Sequence, residues 1–168
     1  MIRVLTVALI CMALAACDSE TYTEVKQPRA HLLPGFESYE SLNEVRAKLP
    51  SNAEVKVIED NSLAKDTSKP PYRMQAISVA PYRHLERPGR LVITFYNDRL
   101  LQTAFYPDRL DEYILTLRHA GINLGYGQQL VNGNTVIWIG TDFDNKQYVA
   151  WADKRLREQQ RRWLANYQ

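Results

Sequence analysis

Beyond position 17 the chain contains no cysteine; its two, Cys11 and Cys17, both lie at the extreme N-terminus of a 168-residue sequence. A disulfide framework, a CxxC redox pair, a cysteine nucleophile and a thiolate zinc site are therefore excluded downstream. Histidine is scarce too. His31, His84 and His119 stand far apart, with no HExxH pairing, and structural or solvent-exposed roles are expected of them. GxSxG and SxxK are absent, which removes two familiar serine nucleophiles. Gly125-Tyr126-Gly127 lacks the third glycine of a GxGxxG motif and any Walker lysine, so it reads as a flexible loop. Asp142-Phe143-Asp144-Asn145 begins like a calcium loop but lacks the sixth-position glycine and the late glutamate. A tight acidic turn is the preferred reading.

Nor is there an excess of charge of one sign. The formal net charge is +2, and because Arg3 is the one charged side chain in residues 1–16, 20 basic and 19 acidic residues remain from Cys17 onward. No nucleic-acid partner is expected from such a balance. Asp108, Asp111 and Glu112 are carboxylates at the favourable start of a helix rather than an acid–base pair. No metal-ligating cluster and no cofactor motif is read. What the chain does have is an ordinary supply of core material, 45% hydrophobic against 24% charged, which suits one globular domain with accessory segments.

The sharpest pattern is N-terminal. Met1-Ile2-Arg3 is a short positive start, and Val4 to Ala16 then run without a charge, long enough for a signal peptide and too short to span a bilayer. The run closes Leu14-Ala15-Ala16-Cys17, which resembles the lipobox of bacterial lipoproteins. That resemblance implies peptidase recognition of Leu14, Ala15 and Ala16, cleavage before Cys17, and a diacylglycerol on the Cys17 thiol. Each buried methylene contributes roughly 0.8 kcal/mol, and two or more acyl chains make such anchoring stable. Asp18-Ser19 resembles the inner-membrane retention signal of enterobacterial lipoproteins, so the inner membrane, facing the periplasm, is preferred to the outer. Residues 1–16 are thus expected to be removed, residues 17–34 to form the lipidated cysteine and a tether (with Leu32 and Leu33 able to lie on the domain), and residues 35–168 to form one domain.

That domain reads as α+β with a mainly antiparallel sheet, a helix followed by a meander, in outline twice, and a C-terminal helix. Ser41-Leu42-Asn43-Glu44 is a capping box; Leu42, Val45 and Leu49 mark one helical face, and Pro50 ends it. Strands are predicted over 53–59 and 72–79, with loops over 61–71 and around His84. A hairpin over 90–106 turns at Asn97-Asp98. Pro107-Asp108 opens a helix with Leu110, Tyr113, Ile114 and Leu117 on one face and Gly121 as its stop. A hairpin turning at Asn132-Gly133, a strand over 147–151 and a helix capped by Asp153 complete the chain. Two features carry alternatives. Tyrosines in strands, including Tyr96, Tyr106 and Tyr148, either pack beneath helices, which is preferred, or form a protein-binding face. The cations from Lys154 to Arg162 read as a solvated helix face, with anionic lipid headgroups as the alternative.

The lipobox, short tether, helix with Val45 and Leu49, and the run Gly89-Arg90-Leu91-Val92-Ile93-Thr94-Phe95-Tyr96-Asn97-Asp98-Arg99-Leu100 together resemble small lipoproteins of the SmpA/OmlA type. The resemblance spans residues 35–106 and implies a fold similar to the β-lactamase inhibitor protein and a role in outer-membrane protein assembly. The chain departs from that pattern where Lys48-Leu49-Pro50 follows the helix, so no functional residue is carried over. The expected function is that of a non-enzymatic envelope lipoprotein, held to the membrane by its lipid, whose domain binds an envelope protein in assembly or quality control. A periplasmic module for a small molecule or cell-wall polymer is the alternative.

Overall fold

The computed structural model describes residues 28–62 and 68–167. The readings made for Leu14, Ala15, Ala16, Cys17, Asp18 and Ser19 lie outside the described residues.

The order of elements is α1 (Leu42–Arg46), β1 (Glu54–Ser62), β2 (Arg73–His84), β3 (Arg87–Tyr96), β4 (Arg99–Pro107), α2 (Leu110–His119), β5 (Gln129–Asn132), β6 (Thr135–Thr141), β7 (Gln147–Asp153) and α3 (Lys154–Tyr167). All seven strands join one antiparallel sheet in the order β1-β2-β3-β4-β7-β6-β5. The fold is α+β, as expected. Helix-then-meander does occur twice, as α1 with β1–β4 and α2 with β5–β7, and the two meanders meet at their last strands through β4 and β7.

Local chemistry explains most boundaries. Ser41 Oγ accepts from the Glu44 amide while the Glu44 carboxylate accepts from the Ser41 amide, the reciprocal pair of a capping box. Asn97 and Asp98 take φ of 48° and 60°, which their short polar side chains tolerate in the tight turn between β3 and β4. Gly121 follows α2 at φ 86°. The β5–β6 turn sits one residue later than the sequence suggested: Asn132 still pairs with Thr135, and Gly133, at φ 58°, is the first central residue.

Two corrections concern β1 and β2. β1 continues through Asn61 and Ser62, and β2 continues past Pro81 to His84, so His84 lies in a strand rather than a loop. Proline is tolerated there because the ladder is interrupted between Val79 and Tyr82, where no donor is required of it. β1 is a sheet edge with Val57 and Ile58 about half exposed, blunted by Glu54, Lys56, Glu59 and Asp60 and by a bulge between Val57 and Glu59.

One sheet face carries the main core. Ile77, Val79, Leu91, Ile93, Phe95, Phe105, Val149 and Trp151 are buried beneath Val45 of α1, Tyr113 and Leu117 of α2, and the segment holding Ala30, Leu32, Leu33 and Phe36. The packed body therefore begins upstream of residue 35, because the apolar side chains of 30–33 have a greasy sheet to cover. Polar anchors hold this segment in register. The Ala30 amide donates to Ser38 Oγ at 2.8 Å, the Leu33 amide to Thr103 Oγ1 at 3.1 Å, and Thr135 Oγ1 to the His31 carbonyl at 2.8 Å.

The opposite face is covered at one end only. α3 starts where β7 stops and crosses the sheet toward the start of β2, burying Leu156 and Trp163 against Tyr72, Met74, Tyr96 and Leu101. Trp163 Nε1 donates to the Pro70 carbonyl at 2.8 Å, and its ring stands 4.4 Å from that of Tyr72. Asp153 caps the helix as expected, accepting from the amides of Arg155 and Leu156.

Candidate functional site

Strand alternation sends Ala76, Val92, Ala104 and Ala150 to the second face, where they form a floor of small buried side chains beyond the reach of α3. Larger side chains rise around this floor as a continuous strip across β3, β4, β7 and β6. Arg90 lies with its guanidinium carbon 4.2 Å from the centre of the Tyr106 ring. Tyr106 tilts against Tyr148 at 5.0 Å. The Tyr148 ring passes over Gly140, where an added Cβ would stand 2.4 Å from the ring, so β6 can hold only glycine there without displacing it. Trp138 follows, and Arg157 of α3 stacks on it at 4.3 Å.

The electrostatics of the strip follow from partial burial. The Tyr106 phenol is pushed up to about 12, first by burial and then by the nearby Asp142 and Tyr148, against the opposing pull of Arg90. Burial also lowers the pKa of the Arg157 guanidinium, while Tyr148 opposes that shift. Among the described residues neither Arg90 nor Arg157 has a carboxylate partner within ion-pair distance. Their charge is met by aromatic faces instead, an attraction of about 0.5–1 kcal/mol at exposed sites and more when desolvated.

A groove flanks each end of the strip. The larger, about 720 Å³, lies where β2 and β4 end and β3 and α2 begin, and is lined by Ala80, Pro81, Pro88, Tyr106, Pro107 and Leu110 among others. It is open, and of its polar side chains Asp108, Lys146 and Gln147 are solvent-exposed. The smaller, about 430 Å³, lies between α3 and β5–β6, with Lys154, Arg157 and Arg161 on its helix side and Val131 and Val136 on its sheet side. At the tip of the β6–β7 turn Phe143 is fully exposed. Asp142 Oδ1 there accepts from the amides of Asp144 and Lys146, which makes the segment a tight acidic turn.

The histidines are not brought together. His31 is exposed beside Glu37 at 3.5 Å, and His119 is exposed in the last turn of α2. His84 is the surprise. It is 7% exposed on the covered face, its Nδ1 hydrogen-bonds the Tyr113 hydroxyl, and the rings of Phe105, Tyr113 and Trp151 stand within 6 Å. Its Nε2 has no hydrogen-bond partner among the described residues, and burial lowers its pKa to about 4. The tyrosines divide between the two readings: Tyr96 packs beneath α3, whereas Tyr106 and Tyr148 stay partly exposed on the strip. Sequence reasoning passed over Arg90, Trp138 and Arg157 as site residues. Alternation within β3 and β6 could have placed the first two on a shared face with Tyr106, but nothing local links Arg157 to Trp138.

No protein-family model matches the chain, and no curated protein matches it either.

Proposed function

We propose that this protein is a non-enzymatic envelope lipoprotein, anchored through Cys17, whose domain binds another protein on the aromatic and arginine strip of its half-open sheet face. The observation that carries this reading is the strip itself. Trp, Tyr and Arg are the residue types that dominate protein-binding hot spots, and here all three stand together over a floor of small side chains. The open form of the neighbouring groove and the exposure of its polar groups suit a protein surface better than an enclosed small ligand. The pattern Leu14-Ala15-Ala16-Cys17 supports the anchor, and Asp18-Ser19 supports the inner membrane, facing the periplasm. Assembly or quality control of envelope proteins is the role that the SmpA/OmlA resemblance suggests.

In-cell photocrosslinking tests the strip. A crosslinking residue at Gln147, exposed on the groove that borders the strip, should capture one envelope protein, and one at Leu115, exposed on α2, should not. Trp138→Ala should abolish the adduct. Equal capture from both positions, or adducts to cell-wall fragments alone, would overturn the protein-partner reading in favour of polymer binding. For the anchor, Cys17→Ser should stop fatty-acid labelling and leave the precursor uncleaved. Recovery of the wild type solely with outer membranes would refute the inner-membrane assignment.

A further inference from the structure

The sheet has two ends, and nearly everything that bears on attachment lies at one of them. Pro28, the first described residue, is fastened there. Its carbonyl accepts from Asn134 Nδ2 at 2.9 Å and from the Arg155 guanidinium at 3.1 Å. Asn134 lies in the β5–β6 turn, and Arg155 in the first turn of α3. The ladder registers Thr135↔Asp153, Gln102↔Ala152 and Tyr96↔Arg99 put that turn, the start of α3 and the Asn97-Asp98 turn at the same end. Phe143 and the larger groove lie at the other end, about 20 Å away along β6.

α3 crosses the sheet at the end where Pro28 is held. It carries Lys154, Arg155, Arg157, Arg161 and Arg162 against a single acid, Glu158. Arg161 and Arg162 share Glu158, whose carboxyl their hydrogen bonds hold down to about 2. One carboxylate thus serves two guanidiniums, while Lys154 and Arg157 have no carboxylate partner among the described residues. Together with the smaller groove this makes a cationic flank at the sheet end where Pro28 is held. Cys17 precedes Pro28 by eleven residues, a contour of at most about 36–40 Å even when fully extended. A domain tied so closely cannot move far from the bilayer, so a small attraction suffices to orient it.

We propose that the exposed cations of α3, Lys154, Arg161 and Arg162, and the groove beside them are a docking surface for the anionic phospholipid headgroups of the membrane that holds the protein, with Arg157 left on Trp138 in the strip. Docking there leaves the Phe143 end and the larger groove pointing away from the bilayer, toward a partner. This inference rests on the lipid anchor of the preceding subsection. Its physical content is electrostatic: cations near an anionic leaflet are attracted within a Debye length, and salt removes the attraction.

The test uses the full lipidated chain in vesicles of phosphatidylcholine, with or without phosphatidylglycerol. A donor dye is placed on Gln159→Cys, exposed on α3, or on Asp144→Cys, exposed at the opposite end, with the acceptor on lipid. Energy transfer from position 159 should rise in anionic vesicles and fall back in high salt, and transfer from position 144 should not rise. Lys154→Glu with Arg162→Glu should lose the rise, and the neutral pair Lys154→Gln with Arg162→Gln should lose part of it, both with the wild-type melting temperature. Equal transfer in both kinds of vesicle, an unchanged rise in the charge-reversed variant, or a rise from position 144 would overturn the proposal. Loss of the rise in inorganic phosphate but not in chloride of equal ionic strength would also overturn it, by assigning the groove to a free anion. Intact mass separates the two claims: a chain without lipid refutes the anchor, and its sedimentation with anionic vesicles then decides the role of α3 by itself.

Discussion

The two faces of the sheet are built by the same strands and do opposite things. The face under α1, α2 and residues 30–36 is filled with Ile, Leu, Val and aromatic side chains and closed along most of its length. The other is floored with alanines, closed by α3 at one end and lined elsewhere by Arg90, Tyr106, Tyr148 and Trp138. The first arrangement removes apolar area from water and concentrates the folding free energy there. The second leaves large amphipathic side chains standing over a shallow floor, where a partner can still gain by covering them. The difference teaches that the period-two alternation of the strands can set the face that carries stability apart from the face proposed to bind a partner.

Mutations should separate them again. The largest effect is expected from Phe105→Ala on the closed face, a loss of about 3–5 kcal/mol of unfolding free energy in urea. Asp153→Ala comes next. Its buried carboxylate accepts from Ser38 Oγ at 2.7 Å and from Arg155 at 2.8 Å, so removing it strands buried partners at a cost of about 3 kcal/mol. Burial raises the Asp153 pKa, but hydrogen bonds from Arg155, Ser38 and the helix amides outweigh it, and the net shift is downward. That contribution is present above the unfolded carboxyl pKa and is lost as pH falls through the lower folded value, so wild type and Asp153→Ala should converge in acid melts.

His84 sharpens the comparison through pH. Its folded pKa of about 4 lies below the unfolded value of about 6.5. Between these values the unfolded chain binds more protons, so stability is full above about pH 6.5 and declines as pH falls toward 4. His84→Phe should flatten this part of the profile of melting temperature against pH, and an unchanged slope would assign it elsewhere. On the open face Tyr148→Ala should cost about 1 kcal/mol or less in the same urea titration, yet remove the crosslink expected at the strip. Phe143→Ser should change stability least, within about 0.5 kcal/mol. If Tyr148→Ala destabilised as much as Phe105→Ala, the strip would be core and the comparison would fail.

Much of the domain was legible in its residues. The capping box at Ser41, the Asn97-Asp98 turn, the Gly121 stop and the Asp153 cap each depend on chemistry within a few positions, and each stands where that chemistry put it. Where reading failed, a distant contact had outvoted a local sign. Pro81 argued for the end of a strand, but a bulge accommodates it and carries β2 on to His84. By contrast Leu32 and Leu33, read as able to lie on the domain, do cover the sheet. The strip was half visible: Tyr106 and Tyr148 could be named, while Trp138 drew no attention and Arg157 looked like one cation among five.

By itself the sequence determined most of the elements and turns, the absence of cysteine beyond Cys17, and the basic character of the last helix. Such features follow from residue type and short-range spacing, where backbone sterics and neighbouring polar groups act. Only the tertiary structure decided which sheet face is closed, which strand β7 joins, and that Arg157 comes to rest on Trp138. Alternation creates two faces without ranking them. The ranking comes from long-range burial, when the segment at 30–36, α1 and α2 settle on one side and α3 covers only an end of the other.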